Sequence, residues 1–165
     1  GGELFKIEQA TPYSQKYQAC IAESQQDLRA QARPEVLDLP DDLDAYDKIY
    51  LGYPNYWGTM PMAVYTFLVH YDFTGKIVYP FCTHEGSGLS NTVRDIQKAA
   101  PGAIVAKGLA IYGSNVENAE SALKNGYRRI KNEKCDVMGW RWADRHGNCP
   151  PDGNRYENCC GGQNA

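Results

Sequence analysis

The stretch that most constrains the fold of this chain covers residues 48–61 and reads Lys-Ile-Tyr-Leu-Gly-Tyr-Pro-Asn-Tyr-Trp-Gly-Thr-Met-Pro. Its first half is an apolar run with aromatic and β-branched residues, which is typical of a buried strand. Pro54, Asn55 and Gly58 then interrupt the run and indicate a loop, and Pro61 stands where a helix would begin. The stretch therefore predicts a buried strand, an exposed loop and the start of a helix.

The rest of the chain repeats this alternation of strand and helix. Four strands are predicted at residues 3–8, 48–53, 76–82 and 103–112. Helices are predicted after each strand, with limits indicated by Ser14 and Pro34, by Thr59 and Pro61, by Pro101, and by a capping box at Ser114 and Glu117. Consecutive right-handed crossovers of this kind build an α/β fold, in which a parallel sheet has helices on both faces.

Composition and charge narrow the classes of partner. The 165 residues are enough for one ordinary domain, and 17 basic against 20 acidic residues leave a net charge of −3. Neither nucleic acid nor an anionic membrane is therefore expected as a partner. No apolar run approaches the ~20 residues that span a bilayer. Cys20 and Cys82 lie in apolar segments and favour a reducing, cytoplasmic compartment, while the absence of an initial Met leaves a removed leader open.

From about residue 132 the periodicity is lost. Residues 132–165 mix tryptophan, proline, glycine and charged residues with no helix or strand pattern, so they are predicted to be an irregular or disordered tail to a domain over residues 1–131. This tail holds a conceivable metal cluster, made of Cys135, His146, Cys149, Cys159 and Cys160. Only His146 and Cys149 have a spacing near that of a zinc clamp, so no metal site is predicted.

Two loops are expected at the same edge of the sheet, because parallel strands share their direction. The first loop, residues 54–60, carries Tyr56 and Trp57 as flat stacking faces and Gly58 as a bare backbone amide. The second loop, residues 83–88, offers hydroxyl and amide groups. A planar ring is the natural ligand for such a pair of loops. The alternative is that the two aromatic residues of the first loop only cap the hydrophobic core.

Three phrases give the chain a specific resemblance to a known family. Residues 51–62 (Leu-Gly-Tyr-Pro-Asn-Tyr-Trp-Gly-Thr-Met-Pro-Met), residues 81–89 (Phe-Cys-Thr-His-Glu-Gly-Ser-Gly-Leu) and residues 108–111 (Gly-Leu-Ala-Ile) resemble the bacterial flavodoxin-like family with short chains. The resemblance implies a flavodoxin-like three-layer sandwich that binds FMN non-covalently. It also implies a set of flavin contacts, with the isoalloxazine flanked by Pro54, Asn55, Tyr56, Trp57 and Gly58, and its pyrimidine end gripped by Thr83, His84, Glu85, Gly86, Ser87 and Gly88.

One part of the family pattern is missing from the sequence. Flavodoxin-like chains ordinarily open with a strand, a Ser/Thr-Gly phosphate loop and a helix, and that strand is central in the order 2-1-3-4-5. Without it, the strand near residues 4–7 is predicted either to pair directly with residues 48–53 or to detach and leave an exposed edge. The other candidate for binding a phosphate is the Gly-Ser loop at residues 86–92, which precedes a helix.

The resemblance implies an FMN-binding redox protein that carries electrons to a partner protein or to a small acceptor such as a quinone. In this interpretation Tyr56 and Trp57 stack on the flavin, the Gly58 peptide exchanges a contact at flavin N5, and His84 is a polar contact rather than a base. No catalytic residue is predicted. Two alternatives stay open: an FMN-dependent NAD(P)H:quinone-type reductase, and an incomplete flavodoxin-like domain that binds no cofactor.

Overall fold

The computed structural model describes residues 3–126 and the strand at residues 136–139. A parallel sheet is built from β1 (Leu4–Phe5), β4 (Lys48–Pro54), β5 (Ile77–His84), β6 (Ile104–Val105), β7 (Leu109–Tyr112) and β8 (Asp136–Gly139). Its strands pair in the order β1, β8, β4, β5, β6. β6 pairs with the first residues of β5, and β7 pairs with the last four residues of β5. A small antiparallel pair, β2 (Glu8–Gln9) with β3 (Val36–Leu37), stands apart from this sheet. The predicted α/β fold with a parallel sheet is confirmed.

Four helices connect the strands, at α1 (Tyr17–Ala30), α2 (Met62–His70), α3 (Thr92–Ala99) and α4 (Ala119–Gly126). The chain steps in one direction across the sheet from β1 to β4, β5 and β6, so right-handed crossovers place α1, α2 and α3 on one face. The step from β7 back to β8 runs the other way, and the same rule places α4 on the opposite face. None of the helices in the described part of the chain is long and apolar enough to cross a membrane.

The hydrophobic core lies between the sheet and the helices on the face that carries α1 to α3. Alternate residues of β4 and β5 point into it, together with one side of α2 and Ile96 of α3; the main members are Ile49, Leu51, Tyr53, Val78, Cys82, Val64, Phe67 and Leu68. Phe67 also meets Phe73 edge-on, with 5.7 Å between the ring centroids. Each of these large side chains contributes roughly 1.5–3 kcal/mol by leaving water, and this core fixes where β4 and β5 end.

The register of β4 and β5 brings the two loops together. The strands pair without interruption from Lys48 with Ile77 to Pro54 with Thr83. Because they are parallel and end side by side, the loop after β4 and the loop after β5 leave the same edge at adjacent points. The predicted juxtaposition of the first and second loops is therefore confirmed.

The central position of the sheet differs from what the sequence predicted. β1 neither pairs directly with β4 nor detaches, because β8 lies between them and pairs in parallel with both. The predicted irregular tail thus contributes four strand residues, Asp136–Gly139, while its other residues, and with them the conceivable metal cluster, lie outside the described residues. The physical reason is that β1 and β4 each present unpaired backbone groups, which a short segment of any composition can satisfy. Pro150 and Pro151 argued against the tail as a strand, but the strand lies before them.

Several predicted element limits were also wrong. The helix predicted from Ser14 begins at Tyr17, and Ser14 Oγ accepts a hydrogen bond from the N–H of Lys16, at 3.2 Å, in the turn before it. The predicted capping box lies inside a 3₁₀ helix, Gly113–Asn118, so Ser114 does not cap α4. The single strand predicted over residues 103–112 is divided into β6 and β7. In the first case a short-range bond from a side chain satisfies a backbone N–H before the helix begins, and in the second the 3₁₀ helix satisfies the backbone groups that the predicted cap would have bonded.

Candidate functional site

Asn55 holds the first loop to the second. Its side chain is almost fully buried, with 1% of its surface exposed. Its backbone N–H donates to the Thr83 carbonyl at 2.8 Å, its Nδ2 donates to the Gly88 carbonyl at 3.0 Å, and its Oδ1 accepts from the N–H of Gly58 at 3.0 Å. One residue therefore fixes the turn of its own loop and the position of the neighbouring loop. Buried hydrogen bonds of this kind are costly to leave unmade.

The first loop turns at Trp57 and Gly58. Tyr56 and Thr59 exchange two backbone hydrogen bonds, at 2.8 and 2.9 Å, across the turn. The residues between them both have positive φ, +55° at Trp57 and +78° at Gly58, which is the pattern of a type I′ turn. Glycine adopts this backbone freely, but for a tryptophan the left-handed region costs about 1–2 kcal/mol. The surrounding hydrogen bonds hold Trp57 in a conformation that it would not adopt alone.

The two aromatic side chains of the first loop differ in exposure. Tyr56 keeps only 9% of its surface exposed, so most of its ring lies inside the protein. Trp57 is half-buried, and its Nε1–H donates to Ser24 Oγ on α1 at 3.2 Å. Two cavities between α1 and this loop are both lined by Ser24, Tyr56 and Trp57. Trp57 is thus the aromatic residue of this loop with ring surface left for a ligand.

Thr59 anchors the end of the first loop. Its side chain is 6% exposed, and its Oγ1 donates to Asp95 Oδ2 on α3 at 2.8 Å. A hydroxyl has one hydrogen, so the Tyr65 hydroxyl, at 2.8 Å, donates to the same oxygen. Burial raises the pKa of Tyr65 above its ordinary value, and the nearby Asp95 carboxylate raises it further, against an opposing effect of the hydrogen bond to Thr59. The Tyr65 phenol therefore stays protonated at neutral pH and can donate to Thr59.

The second loop is held more loosely. His84 Nδ1 accepts a hydrogen bond from the N–H of Gly86 at 2.9 Å. Gly86 and Gly88 have φ of +121° and +59°, and a Cβ on either would meet no atom within 4 Å. Ser90 Oγ donates to the Ser87 carbonyl at 2.8 Å. Open space surrounds the glycines, and their backbone is one that other residues adopt only with strain.

Ser87 carries an unsatisfied polar atom. Its Oγ is buried and has no hydrogen-bond partner in the described part of the protein. Buried hydroxyls in folded proteins nearly always have a partner, so an orphaned one beside a binding loop indicates a missing ligand atom or water. Together with the glycines on either side, this hydroxyl makes the second loop a candidate ligand-binding segment.

Two predicted contacts look different in the structure. Gly58 was predicted to offer its peptide to a ligand, yet its N–H donates to Asn55 and its carbonyl accepts from the N–H of Asn91 at 3.0 Å. A contact from the Gly58 N–H to flavin N5 would need the bond to Asn55 to break, whereas the Gly58 carbonyl keeps a second lone pair that can accept from a ligand N–H. In the phosphate candidate at residues 86–92, the N–H groups of Asn91 and Thr92 already donate within the protein, the latter to Leu89 at 3.0 Å. These two amides are not available to a phosphate.

The sequence model of the flavodoxin family matches residues 1–130 of this chain. The chain belongs to the flavodoxin family. A solved structure of a proposed flavoprotein from Bacteroides uniformis ATCC 8492 is similar at 29% identity and a TM-score of 0.63, covering 73% of this chain and 80% of that one. A second, from Bacteroides eggerthii DSM 20697, is similar at 26% identity and a TM-score of 0.65, covering 79% and 84%. Among curated proteins none matches.

Sequence reasoning missed Ser24, which bonds to Trp57 at the turn of the first loop, and Asp95, which bonds to Thr59 near its end. A signal for Ser24 was present, since it lies four residues after Cys20 and four before Leu28, on the apolar side of α1. A polar residue in such a stripe needs a hydrogen-bond partner across the interface. For Asp95 there was no comparable signal, because an acidic residue in the first turn of a helix is common on electrostatic grounds alone.

Proposed function

We propose that this flavodoxin family member binds FMN between the first and second loops and carries electrons to a partner protein or a small acceptor. The observation that carries the proposal is the pair of loops at one sheet edge, braced by Asn55, with Ser87 Oγ buried and unpartnered beside them. Ligands of open parallel sheets bind at this edge. FMN, when bound, supplies one- and two-electron chemistry, while the protein sets access and potential.

The two loops would contribute different contacts. In the first loop, the half-buried Trp57 ring offers a face for stacking, held at a fixed angle by its turn and by Ser24. In the second, Ser87 Oγ offers a hydroxyl that can donate to or accept from the polar rim of the ring. Pro54, Tyr56, Thr83, Glu85 and Gly88 shape the walls. His84 and Gly86, which bond to each other, set the course of the second loop.

The first test is a titration of the full chain with FMN, followed by flavin fluorescence. Quenching is expected at micromolar FMN, and Trp57→Ala should weaken binding by roughly 1–3 kcal/mol through loss of the stacked ring and its buried area. Trp57→Phe keeps a ring but not the indole N–H, so it serves as the matched control and should bind FMN more tightly than Trp57→Ala. If Trp57→Ala lowers the melting temperature and leaves the flavin affinity unchanged, the residue is a structural cap and the proposed stacking is wrong.

The proposed compartment is the cytoplasm. Of the cysteines in the described residues, Cys82 is buried and Cys20 is half-buried, each in an apolar segment. Scattered, core-type cysteines in a globular domain are typical of proteins in a reducing environment. Measuring the cysteine redox state in protein isolated under acid quench would test the proposal, and oxidation of most of its thiols would contradict it.

A further inference from the structure

The side chain of Trp57 is anchored outside its own loop. Its backbone is held at φ +55° by the turn, but the turn leaves the indole free to rotate about its side-chain bonds. The hydrogen bond that the structure gives its Nε1–H runs to Ser24 on α1. The direction of the indole therefore depends on a residue 33 positions earlier in the chain.

Ser24 is well placed to act as a fixed acceptor. It is 6% exposed, and its own hydroxyl hydrogen is used in a bond to the Ile21 carbonyl at 3.0 Å. The lone pairs of Oγ are therefore left for the indole, and an indole N–H can only donate, so the bond has one possible direction. A buried hydroxyl held at both ends is a rigid support rather than a mobile surface group.

The helix that carries Ser24 is itself tied down. Tyr13 donates to Asp27 Oδ2 at 2.7 Å, and the N–H of Ser14 donates to Glu23 Oε2 at 2.7 Å, so the segment before α1 is fixed to its middle. Ser24 lies between those two carboxylates in sequence. The part of α1 that carries Ser24 is thus held by bonds that do not involve the first loop.

We infer that Ser24 is a positioning residue, which fixes the orientation of the Trp57 indole before any ligand arrives. The consequence for cofactor binding rests on the proposed function: an indole held in one orientation offers its face to the flavin without losing rotamer freedom on binding. Immobilising such a side chain costs enough to change a dissociation constant by about two- to tenfold. Loss of the Ser24 hydroxyl should weaken FMN binding by that factor without removing any flavin contact.

The test uses four variants of the full chain. Ser24→Ala removes the acceptor, while Ser24→Thr and Ser24→Val have nearly the same shape as each other and differ in the hydroxyl. Ser121→Ala, on the exposed helix α4, removes a serine hydroxyl that bonds to the Asn118 carbonyl and serves as the control. The first readout is the Nε1–H resonance of Trp57 in flavin-free protein, assigned through Trp57→Phe. The second is the dissociation constant for FMN.

The Trp57 resonance is expected to move to the position of a solvent-bonded or unbonded indole in Ser24→Ala and Ser24→Val, and to stay in place in Ser24→Thr and Ser121→Ala. FMN binding should weaken two- to tenfold in the first pair alone. An unchanged resonance in Ser24→Ala and Ser24→Val would overturn the inference, and so would a moved resonance with unchanged FMN affinity. Absence of FMN binding in the unmodified chain would refute the proposed function, while the flavin-free resonance would still decide the role of Ser24.

Discussion

The two loops at the carboxyl edge of the sheet are built in opposite ways. The first loop is closed: Asn55 and Thr59 are buried, its turn is bonded across by Tyr56 and Thr59, and Trp57 is fixed to α1. The second loop is more open, with room for a Cβ at Gly86 and Gly88 and with no partner for Ser87 Oγ among the described residues. The main link between them is the side chain of Asn55, which belongs to the first loop and reaches into the second.

This difference indicates that the first loop is rigid and the second can adjust to a ligand. A loop whose polar groups are all satisfied has one stable arrangement and forms a fixed wall. A loop with glycine-specific backbone and an orphaned hydroxyl can adjust at low cost and gains a hydrogen bond when a ligand arrives. Changes in the first loop should therefore lower stability and affinity together, while changes in the second should separate the two quantities.

The largest effect is expected for Asn55→Ala, which breaks the link between the loops. The substitution leaves the Gly58 N–H and the Gly88 carbonyl without the Asn55 side chain, at about 1–3 kcal/mol each, so a loss of roughly 2–6 kcal/mol in the free energy of unfolding is expected. Chemical denaturation measures it. Asn91→Ala is the matched control, because Asn91 is exposed and its side chain does not cap α3. Similar losses in the two variants would show that Asn55 is not the brace.

Thr59→Val tests the anchor at the end of the first loop. It keeps the shape of the side chain but removes the hydroxyl that joins Tyr65 to Asp95, so unfolding should become easier by about 1–2 kcal/mol. The effect should be coupled: Tyr65→Phe should cost about 1 kcal/mol less in the Thr59→Val background than in the unmodified chain. A double-mutant cycle by urea denaturation measures this coupling, and strictly additive losses would argue against a shared network.

Ser87→Ala tests the second loop and should separate stability from affinity. Because its Oγ has no partner, removing it should leave the free energy of unfolding unchanged or raise it by up to about 1 kcal/mol. FMN binding should weaken by about 0.5–1.5 kcal/mol, the net value of one hydrogen bond. Ser90→Ala removes a hydroxyl that is already bonded to the Ser87 carbonyl and provides the comparison. A marked loss of stability in Ser87→Ala would mean that its hydroxyl is satisfied within the protein.

The smallest effect is expected for Tyr13, which donates to Asp27 and holds the segment before α1 to that helix. Burial, followed by the hydrogen bond to Asp27, raises the pKa of Tyr13 well above its ordinary value near 10. The phenol therefore holds its proton more tightly when folded, so its contribution to stability is complete below pH 10 and is lost as the pH rises beyond that value. Tyr13→Phe should make the fall in stability above pH 10 less steep. Denaturation midpoints measured across this range would contradict the assignment if the two proteins lose stability in parallel.

Much of the fold and of the paired loops could be predicted from the sequence, because both depend on local signals. Apolar runs, turn residues and the shared direction of parallel strands place the loops after β4 and β5 at one edge. The roles within the loops could not be predicted, because they depend on tertiary contacts. Asn55 braces the two loops and Tyr56 is 9% exposed, and neither feature could be predicted from the sequence, while their contacts with a flavin stay predictions.

The central strand was missed for a related reason. Asp136–Gly139 has no alternating pattern and holds a charged residue and a glycine, so nothing local identifies it as a strand. Its pairing is determined by the unsatisfied edges of β1 and β4, which are distant in the sequence. The division of the chain into a domain over residues 1–131 and a separate tail stays a prediction.

The central claim is that one FMN contacts both loops at once. The most direct measurement is a set of backbone amide chemical shifts from the isotope-labelled full chain, recorded as FMN is added. The account predicts shifts at Trp57 and Gly58 and at Ser87 and Gly88 that saturate with one common dissociation constant, with no change in the distant pair β2 and β3. Shifts confined to one loop, shifts elsewhere on the surface, or none with FMN in excess would contradict it.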